Sequence, residues 1–85
     1  MNTRDKQITQ RIRSCIKAVD PDAKVVLFGS HARGDARKES DWDVLVLIDH
    51  AKTSRAIEAP YRNALLMLEL ELAEPISTFV YPKQD

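Results

Sequence analysis

The sequence predicts a small α/β (α+β) domain, a mixed β-sheet of about three strands packed with two main helices. Three observations carry that prediction. An apolar stripe at helical spacing opens the chain. Short runs rich in β-branched and aromatic residues follow at Lys24–Phe28, Trp42–Ile48 and Ile76–Tyr81. A second, strongly apolar helical stretch separates the last two runs. At 85 residues the chain has room for one domain, so residues 1–85 are read as a single unit. So short a chain buries only about 60–65% of its unfolded surface. Self-association to a homo-oligomer, or a partner, would add stability.

From about Thr3 to Val19 the apolar residues Ile8, Ile12, Cys15, Ile16 and Val19 step by four, three, one and three, which is one face of a helix. Asp20-Pro21-Asp22 ends it, because a residue before proline is pushed out of the α region. Lys24 to Phe28 reads as a buried strand that Gly29 closes. Ser30 to Gly34 forms a tight turn or a single helical turn, and Gly34 suits a position of positive φ. Asp35 to Ser40, charged and without large apolar groups, reads as an exposed loop that Ser40 helps to orient. In the second strand Val44, Leu45, Val46, Leu47 and Ile48 are apolar without alternation, so both faces are expected to be covered and the strand central. Pro60 belongs in the first turn of a helix and costs about 3 kcal/mol inside one. The second main helix is therefore placed from about Ala59 to Ala73, with Tyr61, Leu65, Leu68 and Leu72 on one side. Leu66, Met67 and Leu70 widen that side, so the helix packs on more than one surface or offers one to a partner. Glu74-Pro75 breaks it, and Ile76 to Tyr81 is a strand by propensity.

Composition narrows the function classes. Thirteen basic and thirteen acidic residues give no net charge, which gives no support for non-specific nucleic-acid binding. Cys15 is the only cysteine, so neither an internal disulfide nor a cysteine-based zinc site is available, and it suits a small packed position. No apolar run approaches membrane-spanning length and the N-terminal residues lack a signal-peptide core, so the reading is cytoplasmic, with no membrane partner. His31 and His50 have no second ligand at metal spacing and read as surface or loop residues. Tyr61 and Tyr81 read as core or interface residues.

The residues that carry chemistry lie between Val25 and Ile48. Successive side chains of a strand alternate faces, so Asp41 and Asp43 point the same way, with α-carbons roughly 6.5–7 Å apart. Two carboxylates so placed can converge on one divalent cation, or on two about 4 Å apart. The plainer reading is a solvated strand start, but Asp43 adjoins an apolar run, where an unpaired carboxylate is costly to desolvate. Gly29 lets a ligand approach the backbone, and the N–H groups that follow can face an anion. Arg33 either touches a phosphate or pairs with Asp35 or Asp41. Trp42 faces away from the acids and packs.

The pattern Gly29-Ser30-His31-Ala32-Arg33-Gly34 followed by Ser40-Asp41-Trp42-Asp43 resembles the DNA polymerase β-like nucleotidyltransferase superfamily. More narrowly it is similar to the minimal nucleotidyltransferases, small domains found with a helical HEPN partner. The resemblance implies the nucleotidyltransferase fold, with Mg²⁺ held by Asp41 and Asp43 as the catalytic acids. It also implies that Gly29, Ser30 and Arg33 bind the nucleotide, with ATP as donor and a hydroxyl of a HEPN-type protein as acceptor in an antitoxin role. One departure stands out. Relatives in that superfamily add a third carboxylate from a later strand, whereas Ile76-Ser77-Thr78-Phe79-Val80-Tyr81 contains no acid. Glu71, Glu74 and Asp85 flank it, and Glu74 is near enough in sequence to swing in. Two expectations follow: an enzyme transferring a nucleoside monophosphate, or a catalytically weak module that neutralises its partner by contact through the Ala59–Ala73 helix.

Overall fold

A computed structural model describes residues 2–37 and 40–83. Helix α1 spans Thr3–Val19, strand β1 Lys24–Phe28, the single-turn helix α2 Gly29–Arg33, β2 Trp42–Ile48, α3 Arg55–Leu72 and β3 Ile76–Pro82. The sheet order is β1-β2-β3, so β2 is central as expected. It runs antiparallel to β1, with Phe28 opposite Asp43, and parallel to β3, with Ser77 opposite Asp43.

The starts and stops have local causes. Asn2 caps α1 by accepting from the Asp5 amide at 2.8 Å, which satisfies one of the otherwise unpaired first N–H groups. Along α1, Ile8, Ile12 and Ile16 are buried. Ile12 and Ile16 are fully enclosed, and each contributes about 1.5–3 kcal/mol by leaving water. They face Trp42, Val44, Val46 and Ile48 of β2, with Tyr61, Leu65 and Leu68 of α3 completing the core. Cys15 packs at its margin. Tyr61 also donates to Asp20 at 2.7 Å, pinning α3 to the end of α1.

Two expectations change. Helix α3 begins at Arg55, not Ala59: Ser54 caps it by accepting from the Ile57 amide at 3.2 Å, and Pro60 lies in its second turn. The extra turn is held by that cap and by the Arg62–Glu58 pair at 2.8 Å. Pro60 is exposed, so the Ala56 carbonyl that loses its helical donor can be solvated. Nor is β2 covered on both faces. Burial alternates along it, with Asp43, Leu45 and Leu47 only half-buried. The second face carries Val26 and Phe28 of β1, then Leu45 and Leu47, then Ser77, Phe79 and Tyr81 of β3. Leu45 and Leu47 are shielded there by their neighbours across the strands, not by a further layer. Phe28 and Phe79 lean together at 5.6 Å between ring centroids, and Tyr81 is half-exposed, so it is not a core residue.

Both outer edges of the sheet are blunted by helix side chains. From α1, Arg13 donates to the Val25 carbonyl at 2.7 Å and Lys17 to that of Ala23. From α3, Glu69 accepts from the Ile76 amide and Arg62 donates to the Thr78 carbonyl, each at 2.7 Å. Occupied edge groups cannot template another strand. On the outer side of α3, Leu66, Met67 and Leu70 are more than half exposed. No helix among the described residues is long and apolar enough to cross a membrane.

Candidate active site

The two halves of the motif meet at one end of the sheet. β1 ends at Phe28, opposite Asp43, and the chain turns at Gly29 with φ of 80°. A side chain added at Gly29 would place its Cβ on top of the Asp43 Oδ2 atom and 3.0 Å from Cγ. The Asp43 carboxylate therefore lies directly against the Gly29 backbone, in space that only glycine leaves free. Ser30 follows at the start of α2. Gly34 closes α2 at φ of 83°, as its predicted turn role requires.

Asp41 lies just outside β2 and is exposed, whereas Asp43 is half-buried. The Ser77 hydroxyl donates to Asp41 Oδ2 at 2.8 Å. Sequence reasoning missed Ser77, because a serine in a strand gives no signal of its own. The β2–β3 register places it beside Asp43, at the point of β3 nearest the acid pair. Asp41, Asp43, Gly29 and Ser30 are thus brought together, and Ser77 joins them.

Arg33 is not drawn to the acids. Its guanidinium pairs with Asp35 at 3.4 Å, both side chains 64% exposed, one of the two pairings open in the sequence. A solvated pair of this kind contributes little, so Arg33 is free to exchange partners. Glu74 does not swing in: it holds Arg4 at 2.8 Å. Glu71 pairs with Arg11 at 2.6 Å. Asp85 lies outside the described residues. Among those residues no three His, Cys, Asp or Glu side chains gather as a metal site.

His31 corrects another expectation. It is not a surface residue but is about nine-tenths buried, stacked on Trp42 with ring centroids 3.8 Å apart and planes 10° from parallel. Its Nε2 lies 2.9 Å from the Ser40 carbonyl. Ser40 orients the loop as expected, its hydroxyl accepting from the Arg37 amide at 2.9 Å.

Residues 9–79 match the family described as nucleotidyltransferase domain. Over 55 residues the chain is 40% identical to the terminal uridylyltransferase cid1 of Schizosaccharomyces pombe, covering 65% of this chain and 14% of that protein. Over 48 residues it is 44% identical to the putative protein adenylyltransferase MJ0141 of Methanocaldococcus jannaschii, covering 56% of this chain and 46% of that one. A crystal structure of the Cid1 poly(U) polymerase with MgGTP bound superposes with a TM-score of 0.57 at 31% identity, covering 79% of this chain and 22% of Cid1. The chain thus spans less than half the length of each of these relatives. The match over residues 9–79, taken with the meeting of Gly29 and Asp43, shows that the chain belongs to the nucleotidyltransferase domain family.

Proposed function

We propose that the chain is a divalent-metal-dependent nucleotidyltransferase domain, a single unit over residues 1–85. In this reading it moves AMP from ATP to a hydroxyl of a protein partner in the cytoplasm, with Mg²⁺ as the ion. The observation that carries the proposal is the seating of the Asp43 carboxylate on the Gly29 backbone, which joins a candidate metal ligand to a candidate triphosphate cradle.

The residues present fit such an ion. Asp41 and Asp43 offer hard oxygen donors, and Mg²⁺ is commonly held by one or two carboxylates together with substrate phosphates. When bound, the ion neutralises phosphate charge and polarises the α-phosphate. The remaining work belongs to the chain. Ser77 orients Asp41, and Gly29 and Ser30 present backbone N–H groups and a hydroxyl to the triphosphate. Arg33 can leave its solvated partner Asp35 for phosphate oxygens. Transfer forms a bond from the acceptor oxygen to the α-phosphorus and breaks the α–β bridge, pyrophosphate leaving with the bonding pair. Because β3 brings Ser77 and not a carboxylate to the acid pair, the base that takes the acceptor's proton comes from the partner.

ATP and a protein acceptor follow the Methanocaldococcus jannaschii relative, named a putative protein adenylyltransferase, over the Schizosaccharomyces pombe one, named a terminal uridylyltransferase. The resemblance to minimal nucleotidyltransferases makes a HEPN-type protein the proposed acceptor, with an antitoxin role. A second reading, neutralisation by contact alone, is favoured by Ser77 in place of an acid and by the exposed Leu66, Met67 and Leu70. Calorimetric titration of ATP, with and without Mg²⁺, into the wild type and Asp43→Asn tests the first reading. Binding that needs both Mg²⁺ and Asp43 supports it. Neutralisation of the partner by Asp43→Asn would support contact alone.

A further inference from the structure

We propose that His31, at the variable position of the glycine-serine motif, is a positioning residue that holds the phosphate-binding turn against the carboxylate strand; this rests on the site reading above. The geometry supplies two links. The Ser40 carbonyl can only accept, so the His31 Nε2 carries the proton of the 2.9 Å hydrogen bond. That bond joins the residue after Ser30 to the residue before Asp41. The second link is the 3.8 Å stack on Trp42, the residue between the two acids. Trp42 is 1% exposed and belongs to the core, so His31 reaches the acid strand from its covered side. Asp43 occupies the opposite face.

Why such a tie is needed follows from α2. Five residues are too few for a helix to hold itself, so its place depends on tertiary contacts. Gly29 and Gly34, both at positive φ, turn the chain at its two ends. Arg33, its other long side chain, is solvated on Asp35. His31 is the buried residue of α2. Its second ring nitrogen, Nδ1, has no hydrogen-bond partner among the described residues, so the single bond to Ser40 and the stack set the ring's position. The two links have separable effects. The stack buries apolar surface and contributes to global stability; the hydrogen bond sets the distance between Ser30 and the acids.

Two variants separate them. His31→Phe keeps an aromatic ring on Trp42 and removes the donor; His31→Gln keeps a donor at similar reach and removes the ring. Each is measured by calorimetric titration of Mg-ATP, by thermal unfolding and by amide hydrogen exchange. His31→Phe is expected to unfold no more than about 8 °C below the wild type, the loss of one hydrogen bond, yet bind Mg-ATP about tenfold more weakly. Its exchange should rise at Gly29–Ser30 and Asp41–Asp43 but not in α1. His31→Gln is expected to unfold earlier yet bind within about threefold of the wild type. A folded His31→Phe that binds Mg-ATP as the wild type does overturns the positioning role while leaving the site reading intact. If His31→Phe does not fold, His31→Gln decides, and a tenfold loss there overturns it. A wild type that binds no Mg-ATP overturns the site reading, and the positioning role with it.

Discussion

Gly29 and Asp43 are fourteen positions apart in the chain, yet the aspartate carboxylate fills the place where a side chain on Gly29 would stand. Gly29→Ala therefore meets two penalties, a backbone at φ of 80° and a collision with Oδ2. Backbone strain of this kind costs on the order of 1–3 kcal/mol. Displacement of Asp43 should also abolish Mg-dependent ATP binding. Gly34→Ala is the control, at φ of 83° but with nothing within 4 Å of the added carbon. It should lose only the backbone share of that stability and still bind ATP. Denaturant melts and calorimetry on the pair check this, and equal loss of binding in both would contradict it.

Ser77 sets the second prediction. Ser77→Ala removes the donor to Asp41 and should weaken Mg²⁺ binding by roughly two- to tenfold. Ser77→Asp places a third carboxylate opposite Asp43. Three acids at one sheet end repel without a cation, so the melting temperature of this variant should rise with Mg²⁺ far more than the wild type's. Thermal melts across a magnesium series measure it; a flat response would show that β3 does not face the metal site.

The candidate site was legible where chemistry and backbone demand particular residue types. Asp41, Asp43 and Gly29 stand out because the paired acids and the glycine after a strand occur together in one motif, where either half alone has plainer readings. Ser77 and His31 do not, because the role proposed for each depends on a neighbour that only the fold supplies: the parallel register for Ser77, the ring of Trp42 for His31. The apolar run of β2 made two covered faces the natural expectation. The structure covers one with helices and shields the other with Phe28, Phe79 and Tyr81. The start of α3 was readable in Ser54, three residues before the amide it caps, but the energetic penalty of Pro60 drew the boundary inward.

That penalty gives the third prediction. In the second turn of α3, Pro60 leaves the Ala56 carbonyl without a helical donor, a cost of about 3 kcal/mol. Proline returns about 0.4–1 kcal/mol by restricting the unfolded chain. Pro60→Ala should therefore stabilise the domain by about 2 kcal/mol, read as a higher denaturant midpoint at unchanged slope. No gain would mean that the helix has already relaxed around the ring.

Tyr61 and Asp20 make stability depend on pH at both ends. Burial and the bond to Asp20 push the Tyr61 hydroxyl up to about 12 from 10.0. Its contribution is full below pH 10.0 and is lost as pH rises from there through about 12. The Tyr61 hydrogen bond holds Asp20 below its ordinary value of 3.8, so its contribution is present above that value and lost as pH falls through the lowered one. Tyr61→Phe should cost about 1 kcal/mol near neutrality and flatten both limbs. Unfolding free energy followed across pH measures this; unchanged limbs would remove the pair from the pH response.

The outer edge of β3 carries the last prediction. Glu69 and Arg62 occupy the Ile76 amide and the Thr78 carbonyl, groups that point away from β2 and would otherwise be free to pair with another strand. Removing both side chains in Arg62→Ala/Glu69→Ala leaves a bare edge beside the half-exposed Phe79 and Tyr81. Each lost bond should cost about 1 kcal/mol, which a small domain can bear. The larger effect is on association, since an uncovered edge next to apolar side chains recruits a second copy. Analytical ultracentrifugation should show concentration-dependent self-association in the double variant beyond the wild type's. Glu69→Gln, which keeps an acceptor for Ile76, should behave as the wild type. A double variant with the wild type's sedimentation would show that the edge is guarded by something other than these two side chains.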